Sequence, residues 1–298
     1  MYHNPVMLIE SIEGLSIISG GIYADVTFGG GGHSKEILNR LDENGKLFAF
    51  DQDDDALANV PDDSRFMLIN HNFRYLKNFL KLYNAYPVDG IIADLGISSH
   101  QIDVAERGFS IRFNGELDLR MNQNQGKSAK DVVNNYTVDE LKKIFKEYGE
   151  LQNAWKIANA IINYRLDKII ENTDDLKAAV SNCLPKHLEN KMLAMIFQAI
   201  RIEVNEELEV LKEMLLQTIE SLKPGGRLVV ISYHSLEDRL VKNFMRSGNF
   251  EGEIKKDFYG NVISPFKVIS KKAIIPQADE IERNTRSRSA KLRIAERV

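Results

Sequence analysis

Cysteine is almost absent from this 298-residue sequence, in which Cys183 is the only one. A single cysteine excludes an intramolecular disulfide and a cysteine-based zinc site, and we expect no metal site in the chain. The neighbours of Cys183 in "LKAAVSNCLP" follow a helical apolar pattern, so we expect this thiol to lie in a core.

Long apolar runs and an excess of positive charge are also missing. No segment reaches the ~18–20 apolar residues that span a bilayer, and "MYHNPVMLIE" lacks the features of a secretory signal. We therefore expect a cytoplasmic protein without membrane association. The net charge of −4 gives no global indication of nucleic-acid binding, although residues 267–298 contain nine Lys/Arg and four Asp/Glu.

Strand and helix signals alternate through the first hundred residues. Short apolar segments with strand character are each followed by a helical pattern. The predicted strands are "GIYADVTF", "GKLFAFD", "RFMLIN" and "VDGIIADLGI", and the predicted helices are 34–41, "DDALANV" and "FRYLKNFLKLY". Near-continuous apolar strands that alternate with helices predict a parallel sheet covered on both faces.

The middle of the chain has a different rhythm. From about Asp103 to Val204 the apolar residues follow helical spacing, and no segment predicts a strand. Thr137 and Glu140 stand at the spacing of a capping box in "TVDELKKIFKEYGE". We expect residues 104–204 to form an all-helical domain, inserted into an α/β domain made of residues 1–103 and 205–298.

The alternation of helices and strands resumes in the last third of the chain. A leucine-lined helix ends at "KPGG", because proline and glycine stop helices. Further strands are predicted at "RLVVISYHS", "KVISKKAII" and "SAKLRIA", with a helix at "LEDRLVKNFM". In the last strand Ala290, Leu292 and Ile294 alternate with Lys291 and Arg293, which predicts one buried face.

The most informative motif is the run of four glycines in "DVTFGGGGHS", between a predicted strand and a predicted helix. Glycine costs backbone entropy, so such a run indicates close approach of a ligand. Gly29 and Gly31 fit a dinucleotide fingerprint, but its third position falls on Ser34, and no triphosphate-binding motif is present. Asp25, which ends the strand, would repel a pyrophosphate and attract a cationic ligand.

A second carboxylate, Asp51, ends the next predicted strand, 19 residues after Gly32. An acid at this position commonly binds ribose hydroxyls. An acid, a glycine loop and another acid suit an adenosyl ligand whose linker is not a phosphate. S-adenosylmethionine fits, because its carboxylate can bind a helix N-terminus and its cationic groups favour a nearby aspartate. The alternative is a glycine-rich turn in an α/β domain of another kind.

Eight blocks of the sequence occur in the order found in the bacterial RsmH (MraW) family, which the chain resembles over its whole length. They are "HNPVMLIE", "DVTFGGGGHS", "FAFDQD", "ADLGISSHQID", "ERGFS…LDLRM", "FQAIRIEVNEEL", "LKPGGRLVVISYHSLEDR" and "RSRSAKLR". The resemblance implies a class I S-adenosylmethionine-dependent methyltransferase with a Rossmann-like sheet, acting on N4 of a cytidine in the decoding centre of 16S ribosomal RNA. Two residues depart from the family pattern: Val26 replaces a small residue, and His100 replaces a proline and leaves the local loop geometry open.

The resemblance also implies which residues bind the cofactor. They are Gly31, Gly32, His33, Asp51, Phe73, Asp94 and Gln101. The three loop residues would line the methionine end of the cofactor, Asp51 would bind the ribose and Phe73 would pack near the adenine. From spacing alone, Phe73 fits the apolar face of a helix equally well, and His33 could simply begin a helix beside Ser34.

Two residues are candidates for catalysis. Cytosine N4 is a poor nucleophile because its lone pair is delocalised, so the site must orient the amino group and accept its proton. Asp94 at the end of the fourth predicted strand, or the backbone carbonyls of residues 95–98, would do so. His234, after the fifth strand, is the second candidate, and its alternative role is that of a hydrogen-bonded residue at a strand end.

The expected partner is 16S rRNA within the small ribosomal subunit, with its target base flipped out of the stack. Arg283, Arg286 and Arg288 precede the last strand and are candidate RNA contacts, whereas Lys291 and Arg293 also fit the solvent face of that strand. Both a monomer and a homodimer remain open.

Three other functions stay open at the level of sequence. The chain could be a class I methyltransferase for another nucleic acid or a small-molecule amine, an NAD-dependent dehydrogenase, or a non-catalytic RNA-binding module. Ser34 and Asp25 argue against the dehydrogenase, because they break the dinucleotide fingerprint and repel a pyrophosphate.

Overall fold

The structure is a computed structural model that describes residues 5–298. The chain divides into two compact units: the stretch up to Gly96 together with Leu208–Val298, and the intervening Ile97–Glu207. The predicted limits of the inserted domain, 104 and 204, fall inside the second unit, and the limits of a separately folding domain stay a prediction. The block "HNPVMLIE" begins at His3 and Asn4, which lie outside the described residues.

The first unit contains a seven-stranded sheet. Its strands in chain order are β1 (Ile22–Asp25), β2 (Lys46–Phe50), β3 (Phe66–Ile69), β4 (Val88–Asp94), β5 (Leu222–Ser232), β6 (Phe266–Val268) and β7 (Lys291–Arg297). They are hydrogen-bonded in the order β3-β2-β1-β4-β5-β7-β6. The first five strands run parallel, and β7 runs antiparallel to both of its neighbours. This arrangement confirms the predicted α/β class and the Rossmann-like sheet of class I methyltransferases.

Twelve α-helices accompany these strands in the described part of the chain. In chain order they are α1 (Leu8–Leu15), α2 (Gly32–Arg40), α3 (Leu76–Leu82), α4 (Ser99–Asp103), α5 (Ala129–Asn135), α6 (Val138–Glu147), α7 (Ala154–Asp167), α8 (Thr173–Val180), α9 (Glu189–Asn205), α10 (Glu207–Ser221), α11 (Ser235–Ser247) and α12 (Ala278–Arg283). The sequence analysis missed α1, α4 and α12, and the predicted helix "DDALANV" is a 3-10 helix, Asp54–Asn59. No helix within residues 5–298 is long and apolar enough to cross a bilayer.

Helices cover both faces of the sheet. Successive strand residues point to opposite faces, so each strand contributes side chains to two buried clusters. Tyr23 and Leu47 pack in one buried cluster with residues of α1 and α2. Their neighbours Ala24 and Phe48 pack in another cluster with residues of α3, α10 and α11. The strands are apolar on both faces for this reason, and the loops that follow the carboxyl ends of the five parallel strands β1–β5 lie along one edge of the sheet.

The predicted strand "KVISKKAII" is wrong beyond Val268, where β6 ends. The hydroxyl of Ser270 accepts a 2.9 Å hydrogen bond from the Ile294 N–H and so replaces a backbone partner. The N–H groups of Ile269 and Ser270 both donate to the Ile294 carbonyl, so the register is irregular there, and the next pairing is an isolated antiparallel bridge between Ile274 and Leu292. A side-chain hydroxyl that competes with the backbone ladder is the physical reason for the break.

The second unit is helical, with one isolated strand bridge between Glu116 and Asn172. The predicted capping box at the start of α6 is confirmed, since the Thr137 hydroxyl accepts from the Glu140 N–H and the Glu140 carboxylate accepts from the Thr137 N–H. Apolar side chains of its helices form a single buried cluster, which includes Cys183 as expected.

Candidate active site at the carboxyl edge of the sheet

The glycine loop connects the end of β1 to the start of α2. Gly29 and Gly31 have φ values of 49° and 74°, a region that side chains disfavour. At Gly31 an added Cβ would also lie 2.9 Å from a ring carbon of Phe28, and the Gly31 N–H donates to the Phe28 carbonyl at 2.7 Å. Glycine is therefore required by the shape of the loop itself at these positions.

Asp25, the last residue of β1, accepts hydrogen bonds from residues on either side of the four glycines. Its Oδ1 accepts a 3.1 Å hydrogen bond from the Thr27 N–H, and its Oδ2 accepts a 2.7 Å hydrogen bond from the Ser34 hydroxyl. Burial raises the pKa of Asp25, against the effects of nearby His33 and of these hydrogen bonds. Asp25 is only 2% exposed, so it shapes the loop, and its attraction for a nearby cationic ligand stays a prediction.

Asp51, the residue after β2, accepts a hydrogen bond from a glycine of the same loop. Its Oδ2 accepts a 2.8 Å hydrogen bond from the Gly29 N–H, and its Oδ1 accepts a 2.9 Å hydrogen bond from the Asp53 N–H. Burial raises the pKa of Asp51 to about 6, although both hydrogen bonds lower it. A carboxylate has about four acceptor positions, so the partly buried Asp51 keeps acceptor capacity for hydroxyl groups.

Asn59 is a loop contact that the sequence analysis missed. Its side-chain Nδ2 donates a 2.9 Å hydrogen bond to the Gly29 carbonyl. Together with the Asp51 bond to the Gly29 N–H, this contact fixes both peptide groups of one glycine. The only available signal was the position of Asn59 at the end of a predicted short helix.

Asp94, the last residue of β4, lies beside the start of the glycine loop. Its N–H donates to the Thr27 hydroxyl oxygen at 2.6 Å, and its Oδ1 accepts a 2.7 Å hydrogen bond from the Tyr233 hydroxyl. Its Oδ2 lies 3.8 Å from Nδ1 of His33. Burial raises the pKa of Asp94 to about 6 against the lowering effects of His33 and Tyr233, and the side chain remains 22% exposed.

Gly32 and His33 open α2 and pack against the start of the described chain. An added Cβ at Gly32 would lie 2.8 Å from the Pro5 ring. Nε2 of His33 lies 3.1 Å from the Val6 carbonyl oxygen, which can only accept, so Nε2 carries a proton. The imidazole is buried between this carbonyl and Asp94.

His234 caps α11. Its Nδ1 accepts a long 3.5 Å hydrogen bond from the Glu237 N–H, and its Nε2 lies 3.2 Å from Glu237 Oε1. The Glu237 carboxylate in turn accepts a 3.0 Å hydrogen bond from the Tyr233 N–H. The structure thus gives His234 the alternative role of a hydrogen-bonded residue at a strand end, and a catalytic role stays a prediction.

Comparison with known proteins decides the family. A family model described as the MraW methylase family matches residues 1–298. The chain belongs to the MraW methylase family. Curated relatives named ribosomal RNA small subunit methyltransferase H are 59% identical over 297 residues in Flavobacterium johnsoniae and in Christiangramia forsetii. The relative in Parabacteroides distasonis is 57% identical over 298 residues, and each comparison covers 100% of this chain and 98% of the relative.

Membership of the MraW methylase family confirms the resemblance found in the sequence, and with the class I sheet it makes the chain a methyltransferase. Gly31, Gly32, His33, Asp51 and Asp94 all lie at the carboxyl edge of this sheet, as the sequence predicted from the ends of parallel strands. The contacts of these residues with a cofactor stay predictions.

Phe73 and Gln101, which we also expect to bind the cofactor of this MraW methylase, make other contacts in the structure. Phe73 begins a 3-10 helix after β3 and packs, partly buried, against the cluster that contains Ala24 and Phe48. Gln101 belongs to α4 of the second unit, where its side chain accepts from the Ser98 N–H in a capping box. Contact of Phe73 with adenine and of Gln101 with the cofactor both stay predictions.

The basic residues before and within β7 are partly paired in this MraW methylase. Arg283 binds Asp279 at 2.6 Å on the surface, where such a pair contributes little. Lys291 and Arg293 bind Asp238 at 3.3 and 2.7 Å, so their role on the strand is at least partly structural. The expected contacts of Arg283, Arg286 and Arg288 with RNA stay predictions.

Proposed function

We propose that this methyltransferase transfers a methyl group from S-adenosylmethionine to N4 of a cytidine in the decoding centre of 16S rRNA, within the small ribosomal subunit. The observation that carries the proposal is Asp94, a partly exposed carboxylate with a raised pKa beside the glycine loop. The curated relatives, which are named for small subunit rRNA methylation, support the substrate class. A cytoplasmic location follows from this substrate.

The glycine loop and Asp51 fit the proposed cofactor. An added Cβ at Gly29 would meet no atom closer than the Thr27 carbonyl oxygen at 4.0 Å, so a bulky nucleoside can approach the backbone there. Asp51 keeps acceptor positions for ribose hydroxyls, and the first turn of α2 offers N–H groups for a carboxylate. S-adenosylmethionine supplies a methyl group on a positively charged sulfur.

Asp94 would accept a hydrogen bond from the N4 amino group and take up the proton that the nitrogen loses as its new bond to carbon forms. Tyr233 engages Oδ1, so Oδ2 is the oxygen left for the substrate. A carboxylate with a pKa of about 6 is a stronger base than an ordinary aspartate and is still ionised at pH 7. Water then receives the proton from Asp94.

Orientation of the nucleophile would supply much of the rate, because the chain holds its groups in fixed positions before reaction. Well-oriented reactants gain on the order of 7–11 kcal/mol, and a positioned base contributes roughly 10²–10⁴-fold. The bonds that hold Asp94 at its N–H and at Oδ1 serve this purpose.

The decisive experiment is nucleoside mass spectrometry of small-subunit rRNA from cells with and without the gene. We expect N4-methylated cytidine to be lost at one position and restored by the parent gene. Purified chain with labelled methyl donor is then offered small-subunit particles, naked 16S rRNA and duplex DNA. Transfer to DNA alone, or no transfer to any RNA, would contradict the proposal.

A further inference from the structure

We propose that α11, β7 and the segment between them form an RNA-contact surface with two features: a basic cleft for the phosphate backbone and an aromatic hairpin tip that stacks on unpaired bases. This inference rests on the proposed function, since it takes the substrate to be RNA. Both features belong to the first unit of the chain.

The cleft has a volume of about 260 Å³ and lies between α11, the residues that follow β6, and β7. Its floor includes the apolar side chains of Met245 and Val268. Its polar lining residues are Lys242, Arg246, Ser270, Lys271 and Arg293. No acidic residue lines it among the described residues.

Three of the cations in the cleft lack a counter-charge. Arg293 is held by Asp238 at 2.7 Å. In residues 5–298, by contrast, no carboxylate lies within 4.0 Å of the charged nitrogens of Lys242, Arg246 or Lys271. Lys242 and Arg246 are also four residues apart on one helix face, where like charges repel each other. A phosphate between them would remove this repulsion, and the apolar floor suits the adjoining ribose.

The hairpin consists of residues 255–263, in the connection between α11 and β6. The Asp257 N–H donates to the Asn261 carbonyl at 2.9 Å, and the Ile263 N–H donates to the Lys255 carbonyl at 2.8 Å. The Asp257 carboxylate accepts from the N–H groups of Tyr259 and Asn261 at 2.9 and 2.8 Å. These bonds fix the tip of the hairpin.

The tip presents two adjacent aromatic rings to solvent. Phe258 is 97% exposed and Tyr259 is 86% exposed, with their ring centroids 5.7 Å apart and their planes nearly perpendicular. Residues 255–272 contain five lysines and one acidic residue, in a chain whose net charge is −4. Exposed aromatic rings within a basic segment match the chemistry of single-stranded RNA, whose bases stack on such rings and whose phosphates attract lysine.

The charge feature is tested with K242Q/R246Q. Binding of a labelled single-stranded RNA with the decoding-centre sequence is measured across a range of KCl concentrations. We expect the slope of log affinity against log salt to fall by about 0.7 for each phosphate that the variant no longer neutralises. The matched control is K46Q/K81Q, which removes two exposed lysines from β2 and α3 and should leave the slope unchanged. Equal slopes for parent and K242Q/R246Q would overturn the proposal that the cleft binds the phosphate backbone.

The stacking feature is tested with F258A/Y259A in the full chain. The two side chains bury almost no surface, so the variant should melt at the same temperature as the parent. We expect the RNA dissociation constant to rise about 5- to 150-fold for each base that stacks, with an unchanged salt slope. The conservative variant F258Y/Y259F keeps both rings and should bind like the parent. Parent-like binding by F258A/Y259A would overturn the hairpin contact.

Turnover separates this inference from the proposed function. With small-subunit particles as substrate, both variants should raise KM for RNA and leave kcat unchanged. A parent that methylates rRNA, with variants of unaltered KM and RNA affinity, would overturn the surface alone. A parent that methylates no RNA but binds it through these residues would overturn the proposed function alone. Variants that bind naked RNA normally but lose binding to particles would overturn RNA as the occupant and indicate a protein partner.

Discussion

The Tyr233 hydroxyl donates a 2.7 Å hydrogen bond to Oδ1 of Asp94, and the two residues come from the ends of adjacent parallel strands. In the register of β4 and β5, Asp94 lies beside Ile231, two residues before Tyr233. A hydrogen bond to the charged form of a carboxyl favours ionisation. Tyr233 therefore opposes the burial that raises the pKa of Asp94 to about 6.

Tyr233→Phe should move the acidic limb of the activity profile to higher pH. Without the hydroxyl, burial acts on Asp94 with less opposition, so its pKa rises further and less of it is ionised at pH 7. Methyl-transfer kcat/KM is measured from pH 5 to pH 9, and the loss should be larger at pH 7 than at pH 9. Tyr136→Phe removes another 2.7 Å bond from a tyrosine to a carboxylate, in the second unit, and should not move the limb. A pH-independent loss in Tyr233→Phe would contradict this role.

Asp94→Asn should reduce methyl transfer by roughly 10²–10⁴-fold, because asparagine cannot take up the proton. Cofactor affinity is measured in parallel by calorimetry with S-adenosylhomocysteine. It should change much less than the rate if Asp94 acts mainly on the substrate. Turnover close to that of the parent would exclude Asp94 as the proton acceptor.

The same substitution should stabilise the folded chain at alkaline pH. The pKa of Asp94 is about 6 in the folded chain, above the ordinary value of 3.8, so the folded state binds its proton more tightly than the unfolded state does. The contribution of Asp94 to stability is therefore highest at acidic pH and decreases as pH rises through the window from about 4 to 6. Denaturant titrations should find Asp94→Asn more stable relative to the parent at pH 8 than at pH 5. The same difference at both pH values would argue against a buried charge.

Gly31→Ala should destabilise the chain more than Gly225→Ala. Both glycines have a positive φ, 74° and 81°, so each substitution carries a similar conformational cost of about 1–2 kcal/mol. An alanine at Gly31 also meets the Phe28 ring at 2.9 Å, whereas nothing lies within 4 Å at Gly225. Thermal unfolding and cofactor calorimetry should separate the two, with affinity lost only in Gly31→Ala. Equal cofactor affinity in the two variants would show that the glycine loop does not belong to the cofactor site.

Ser34→Ala and Ser11→Ala form a matched pair of buried hydroxyl deletions. Ser34 donates a 2.7 Å hydrogen bond to the buried Asp25 carboxylate, and its loss should cost about 1–3 kcal/mol in the free energy of unfolding. The Ser11 hydroxyl is buried and has no hydrogen-bond partner among residues 5–298, so its removal should be neutral or stabilising. Urea titration of both variants gives the comparison, and equal costs would show that the Asp25 bond contributes nothing to stability.

The sequence was sufficient to predict that Asp51 and Asp94 lie at one edge of the sheet, because this placement depends on local patterns. Asp51 and Asp94 each follow or end an apolar strand, and the carboxyl ends of parallel strands share one edge. The partner of Asp94 was not predictable, since the contact with Tyr233 joins residues 139 positions apart and depends on the register of β4 and β5. Asn59 was missed for a similar reason, because its contact depends on where the 3-10 helix meets Gly29.

The helix-capping role of His234 was predictable from the sequence, although His234 was a candidate for catalysis. Glu237 stands three residues after His234, the spacing of a capping box, and this local signal already favoured the helix-capping role. The break after Val268 also had a local signal, because Ser270, Lys271 and Lys272 interrupt the apolar pattern there. The bond between the Ser270 hydroxyl and the Ile294 N–H, which accompanies the end of the strand, could not be predicted from this pattern.

Asp25, Asp51 and Asp94 converge on one edge of the sheet, and within residues 5–298 none of them pairs with a lysine or an arginine. A positively charged ligand at this edge relieves their mutual repulsion, and any ligand that prefers the folded chain stabilises it in proportion to RT ln(1 + [L]/Kd). The supply of methyl donor would then govern the lifetime of the protein as well as the rate of methyl transfer. Chains without the donor unfold more often and are the first to be degraded by proteases.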